Sequence, residues 1–360
     1  MVRLGQAPMK KLHSLLLLSG FVFLACLIWK TGVRQLWNEL GLLGWGLVPF
    51  IALEFVAEGI HALGWGRCLS VPHGRLPWSQ HFRIRMAGNA INYLTPTASL
   101  GGEVAKAAWL SSSSQEGPEA ISGVLVGRLC AGVGHLLFVV AGSLFVLRSV
   151  TLPRGLWAAM LLSGGLVAAG ILAFLLLQKH GKLGALVRWL AAHKLAGERL
   201  RTFGREVDKV DETLKTFYRE RPRDLALAVC WHLVGHSVGI FQTWWFFSLM
   251  RQPVSAGAAA GVWILGMWFD LLTFAVPLNL GTLEGSRMIA FKATGHGAVL
   301  GMTYGVALRL AQLACACFGL LSYVSLFTAW RTPLSSARPA IVHPPSSTGH
   351  PPSSQPLQSR

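Results

Sequence analysis

Charge is what this sequence has least of. Only 13% of its 360 residues are Asp, Glu, Lys or Arg, about half the share of a soluble domain. So little charge cannot coat a water-facing globule of this length. Acid is scarcest, with 15 Asp and Glu against 32 Lys and Arg. Six cysteines without a CxxC pair exclude a disulfide scaffold and give no metal or redox motif. There is no P-loop, dinucleotide fingerprint or nucleophile elbow. No cofactor and no catalytic activity are therefore expected. What is abundant is apolar: 52% of residues are hydrophobic and the mean hydropathy is +0.49, in runs too long and too numerous for soluble cores. The expected fold class is an all-α polytopic membrane protein.

Six long apolar runs cover residues 14–29, 42–65, 120–147, 156–177, 225–250 and 299–330. The first follows Arg3, Lys10 and Lys11. A signal peptide, or a lipoprotein signal at Leu24-Ala25-Cys26, is the alternative to a retained anchor. The anchor is favoured because further spans follow. The excess basic residues sit between runs, which writes orientation by the positive-inside rule rather than affinity for nucleic acid. Arg67, Arg75, Arg83 and Arg85 follow the second run with no acid among them, and residues 179–223 carry 12 Lys or Arg against 6 acids. Both stretches, and both termini, are expected on the cytoplasmic side.

That parity holds only if two leftover apolar segments, 86–110 and 257–294, return to the side they enter from. Pro, Gly and Asn interrupt each near its middle, as in re-entrant or broken-helix hairpins; a complete span over 256–276 is the alternative. The resulting organisation is a cytoplasmic N-terminus (1–12), a first membrane half (13–177), a basic loop (178–223), a second membrane half (224–330) and a Pro-, Ser- and His-rich tail (331–360) expected to be disordered. Within the loop, Leu200, Phe203, Val207, Val210, Leu214 and Phe217 make a narrow stripe spaced 3, 4, 3, 4, 3. This predicts an amphipathic helix lying on lipid or on the bundle, with a homodimer contact as the rival.

A constant offset of 181 residues superposes the two interrupted segments. Pro96 falls on Pro277, Glu103 on Glu284, Lys106 on Arg287 and Arg128 on Arg309; upstream, Asn89 falls on Asp270. Few other positions match, but these are the rare polar ones. Three full spans separate the copies, so their orientations are opposite, the inverted-repeat plan of many transporters.

An Arg in the middle of a spanning helix costs about 2.5–3.5 kcal/mol even on the lenient insertion scale, so Arg128 and Arg309 need partners. Glu103 and Glu284 are the expected ones. Two compatible readings follow: structural ion pairs that fix the hairpins, or a polar cavity in which Arg128, Arg309, Lys106 and Arg287 hold the phosphate of an anionic head group, a task suited to the planar guanidinium. Gly101 and Gly102 open a helix at Glu103, and free amides at a helix start favour anions. Glu54 and Glu58 share one face of the second run and are candidates for coupling to a proton or cation, against a structural role. His232 and His236, also four apart, lack a third metal ligand, so packing within the bundle is favoured. His61 adds little.

Residues 92–110, NYLTPTASLGGEVAKAAWL, resemble the Asn-x-x-x-Pro … Gly-Gly-[Asp/Glu]-x-x-[Arg/Lys] signature of the flippase-like family, also called the lysylphosphatidylglycerol synthase transmembrane region, which includes hopanoid-associated members. Residues 277–284 are similar to its later Pro- and Gly-rich stretch ending in Glu. The likeness covers roughly residues 12–330. It departs at Gly127, where similar proteins often have an acid, and in a later stretch poorer in Gly. The resemblance implies a multi-pass protein of the bacterial inner (plasma) membrane that binds or translocates lipid, with Asn92 joining the site. In fused members a soluble domain transfers lysine to phosphatidylglycerol; no such domain is expected here. The partners expected are a membrane lipid and, on the rival reading of an accessory subunit, an enzyme of hopanoid or cell-envelope synthesis. A membrane-embedded lipid-modifying enzyme is the second rival.

Overall fold

The computed structural model describes residues 33–69, 76–94, 101–114, 117–149, 154–179, 219–273 and 279–331, together with 29, 215–217 and 276. All regular structure among them is helical. In chain order the helices are α1 (Val33–Leu43), a single 3-10 turn (Gly44–Gly46), α2 (Leu47–Arg67), α3 (Trp78–Leu94), α4 (Gly101–Ser114), α5 (Gly117–Ser149), α6 (Arg154–Lys179), α7 (Pro222–Leu249), α8 (Ala256–Leu272), α9 (Thr282–Ala293) and α10 (Ala298–Arg331).

Four stretches are long and apolar enough to cross a membrane: Leu40–Arg67, Glu119–Arg148, Pro222–Leu249 and Ala298–Leu326. They match four of the six expected runs. A fifth run, 156–177, lies in α6, whose apolar part is the shorter Trp157–Gly170. The first run lies outside the described residues apart from Trp29. The amphipathic stripe at 200–214 and the tail beyond Arg331 lie outside them too. Phe217 is described and packs, half-buried, against the cluster of Cys68, Val126, Cys130 and Ala228.

The two interrupted segments fold as helix pairs. α3 and α8 have 17 residues each, α4 has 14 and α9 has 12. At 1.5 Å per residue the longest is about 26 Å, short of a hydrocarbon core of about 30 Å. Each helix is stopped or started by local chemistry. Ser255 caps α8 by accepting from the amide of Ala258 at 3.2 Å. Pro222 opens α7 at the one turn where a missing N–H costs nothing. Between α8 and α9 the chain turns through Asn279 (φ +47°) and Gly281 (φ +73°). Pro96 and Pro277, the repeat's prolines, lie outside the described residues.

Packing repeats along the chain. α2 pairs with α7 at the centre; α3 lies on α10 as α8 lies on α5; α2 meets α10 as α7 meets α5. Within each half α2–α3, α3–α4 and α4–α5 pack in the same sequence as α7–α8, α8–α9 and α9–α10. Where α2, α7, α9 and α10 converge, Phe50, Phe246, Phe291 and Tyr304 form a buried aromatic cluster with ring centroids 5.0–6.3 Å apart. The outer surface is apolar instead: Leu162, Leu166 and Leu321 are each more than 70% exposed, as expected of side chains that meet lipid.

Candidate functional site

The second hairpin pairs its inward-facing charges within the fold. Arg309, three turns into α10, donates from Nε to Glu284 Oε1 at 2.8 Å and from Nη2 to Oε2 at 3.0 Å, the two-point fork that guanidinium and carboxylate make best. The same guanidinium donates to the Asn279 carbonyl at 2.8 Å and the Tyr93 hydroxyl at 3.0 Å. The left-handed backbone at Asn279 brings that carbonyl into reach. Tyr93 belongs to α3, so this cluster also ties the two hairpins together. Arg287 is fully buried and forks onto Asp270 of α8 at 2.7 and 3.2 Å. Its guanidinium lies on Gly266, where a Cβ would overlap Nη1. Two bases are thus matched by two acids.

The first hairpin is built on the same plan with one acid fewer. Lys106 is buried and donates to Glu103 Oε1 at 3.0 Å. Its stem lies on Gly88, which also contacts Gly102: a Cβ on Gly102 would overlap the Gly88 carbonyl, so α3 and α4 approach through bare backbone. Asn92 joins the hairpin, its Oδ1 accepting from the Gly102 amide at 2.7 Å and its Nδ2 facing Glu103 at 3.4 Å. Asn92 therefore occupies the start of α4, and the Gly102 amide is not the free anion donor that the sequence suggested.

Arg128 departs from expectation. It does not pair with Glu103, whose carboxylate is held by Lys106, one helical turn away on α4. Arg128 is exposed on α5 and makes no ion pair among the described residues, yet lies within electrostatic range of Lys106. Where the second half has Asp270, the first has Asn89, which cannot neutralise a base. Over these four matched positions the first half is left with one positive charge more than the second.

Between the hairpins α2 carries Glu54 and Glu58. Glu58 accepts from Arg85 Nε at 2.9 Å and from Asn89 Nδ2 at 3.0 Å, so Arg85, read from sequence as a loop charge, points into the bundle. Glu54 meets Gln242 Nε2 at 3.4 Å. Both carboxylates line two cavities of about 210 Å³ each. One, between α2, α3 and α10, also includes Asn89, Tyr93, Asn279 and Gln312; the other, between α2, α5, α7 and α8, includes His61, His135, His236 and Asp270.

Among the described residues, Glu54, Glu58, Asn92, Gly102, Glu103, Lys106, Glu284, Arg287 and Arg309 thus all enter polar contacts or line the cavities, but in different roles. Arg85, Tyr93, Asp270, Asn279 and Gln242 were missed. Asp270 carried a signal, since it is the repeat partner of Asn89; the others are joined to their partners only by the fold.

The family model for the lysylphosphatidylglycerol synthase TM region matches residues 12–319. The chain belongs to that family, and is a multi-pass helical membrane protein. No match is found among curated proteins, and none among solved structures.

Proposed function

We propose that this protein is a lipid flippase-like transporter, built as two inverted halves, that receives an anionic or modified lipid head group at the first hairpin. The observation that carries this reading is the unequal use of matching charges. Arg309 spends its whole guanidinium on Glu284, Asn279 and Tyr93, whereas Arg128 at the equivalent place is exposed, without an ion pair among the described residues, in range of Lys106. An unmatched Arg about 8 Å from the midpoint of a spanning helix, at 1.5 Å per residue, is costly in hydrocarbon. A lipid phosphate is the ligand that would neutralise it while its tails remain in the bilayer.

The inverted arrangement is supported by helix bounds and pairings that recur at the 181-residue offset, with α3 on α10 answering α8 on α5 about the α2–α7 contact. We take α3–α4 and α8–α9 as re-entrant hairpins, and the run at 14–29 together with α6 as the fifth and sixth spans. That places both termini on the cytoplasmic side of a bacterial inner membrane. The halves would rock about the fixed polar layer, as in other inverted-repeat transporters. Glu54 and Glu58 line both cavities and are the groups we assign to coupling with an ion gradient.

The test is movement of head-group-labelled lipids across liposomes that hold the purified protein. The reading expects one or more anionic or modified lipids to cross faster than in protein-free vesicles. Equal rates across the panel, with and without a proton gradient, would favour an accessory subunit of lipid or envelope synthesis. Chemical conversion of the labelled lipid would favour an enzyme.

A further inference from the structure

On the far side of Glu54 and Glu58 from the first hairpin, four histidines from three helices gather in the interior: His61 of α2, His135 of α5, and His232 and His236 of α7. His61 Nδ1 and His232 Nδ1 are 2.8 Å apart. The His61 ring stacks on His232 with centroids 5.0 Å apart and meets His236 edge-on at 4.8 Å, and His236 meets His135 at 5.2 Å. We propose that these imidazoles are a proton path that joins the Glu54–Glu58 pair to the Asp270 side of the bundle, so that the proton is the coupling ion of the transporter. This rests on the transporter reading above and deepens it.

Three observations carry the inference. First, two imidazole nitrogens at 2.8 Å can hold one proton between them and no more, since a pair of lone pairs or a pair of N–H groups would repel. The bond is therefore a site where a proton changes hands. A proton taken up at His61 Nε2 from the cavity moves the shared proton from His61 Nδ1 to His232 Nδ1, and the charge returns the same way because His232 Nε2 has no acceptor among the described residues. His61 then gives one proton up to the cavity that it shares with His236, His135 and Asp270; one proton enters, one leaves, and both rings end neutral.

Second, the buried Nε2 atoms of His135 and His232 have no hydrogen-bond partner among the described residues. His135 lines the cavity described next, so a bridging water there would complete its bonding. Third, Glu54, Glu58, His61, His135, His236 and Asp270 share one cavity of about 210 Å³, room for several bridging waters by the usual minimum of about 10–15 Å³ each. The same two carboxylates line the cavity on the opposite face of α2, so titratable groups continue from one side of α2 to the other. Chains of carboxylates and histidines inside a bilayer are how proton relays are built.

The charged groups that face the cluster are few. Glu54 and Glu58 approach on α2 and Asp270 on α8, and Arg85 of α3 acts on His61, His232 and His236. From α10, Cys315 borders only the other cavity. Bare backbone holds the rings in place: a Cβ on Gly235 would sit 2.6–2.8 Å from three atoms of the His61 ring.

The test uses the full chain in sealed phosphatidylethanolamine–phosphatidylglycerol liposomes containing a trapped pH dye, with an inside-negative potassium diffusion potential imposed. Proton entry several-fold above protein-free vesicles is expected, falling about tenfold in His61→Asn and in His232→Asn. Gly235→Ala, which displaces the His61 ring but removes no titratable group, is expected to do the same; a monodisperse gel-filtration peak checks that each variant folds. Wild-type entry equal to protein-free vesicles, or entry left unchanged by all three variants, would overturn the relay. So would stoichiometric Zn²⁺ binding by the purified protein that His232→Asn abolishes, which would make the cluster a metal centre. Labelled phosphatidylglycerol followed in parallel separates the two readings, because lipid that stays still while histidine-dependent proton entry persists counts against the lipid reading alone.

Discussion

The two hairpins differ by one carboxylate, and that difference separates a structural cluster from a candidate binding site. In the second, Asp270 and Glu284 match Arg287 and Arg309, and both guanidinium groups are forked onto a carboxylate. In the first, Asn89 stands where Asp270 would be, Lys106 takes Glu103, and Arg128 is left exposed. A buried charge with its partner present is neutral in effect, but removing the partner strands it. The second hairpin should therefore tolerate little change and bind nothing further. The first should tolerate change at Arg128 and lose function there.

The largest effect expected is on folding. Arg309→Ala strands Glu284, which is 1% exposed, and is expected to destabilise the protein by about 3–5 kcal/mol, as breaking a buried pair usually does. Thermal unfolding in detergent would show this, and an unchanged midpoint would contradict the matched-charge account. Asp270→Asn, which gives the second hairpin the first one's residue, is expected to come close behind, because it strands the fully buried Arg287.

The converse exchange sharpens the comparison from the other side. Asn89→Asp adds the missing acid to the first hairpin but loses the hydrogen bond to Glu58, and is expected to cut transport of an anionic lipid at least tenfold in folded protein; Asn89→Ala, which loses the same hydrogen bond without adding charge, is expected to cut it less. Lipid movement at the wild-type rate would show that the extra positive charge is irrelevant. The smallest effect is expected of Tyr93→Phe. It removes one of the hydrogen bonds of Arg309 and should lower stability by about 1 kcal/mol, or somewhat more because the partner is charged; a double variant with Arg309→Lys would reveal whether Tyr93 acts through the guanidinium.

Much of this was legible in the sequence because polar residues within apolar runs are so few. The repeat stood out through Glu103/Glu284, Lys106/Arg287 and Arg128/Arg309, and the pair Arg309–Glu284 follows from it. The pair Arg128–Glu103 does not, because Lys106 lacks the acid that Asp270 gives Arg287 and takes Glu103 instead. Arg85 was read as a cytoplasmic loop charge because composition marks the end of an apolar run, not the direction in which a helix carries its side chains; α3 in fact continues through it and turns it toward Glu58. His61 and His232 are 171 residues apart, and nothing in the spacing of either announces the other. The spans expected at 120–147, 225–250 and 299–330 needed only length and hydropathy, and the described helices follow them closely.

The most direct test of the central claim is transport by Arg128→Gln in the liposome assay, read beside its unfolding temperature. The account predicts loss of most anionic-lipid movement with no loss of stability, because the change removes an unmatched charge and strands no partner. Lipid movement at the wild-type rate in a folded Arg128→Gln protein would contradict it.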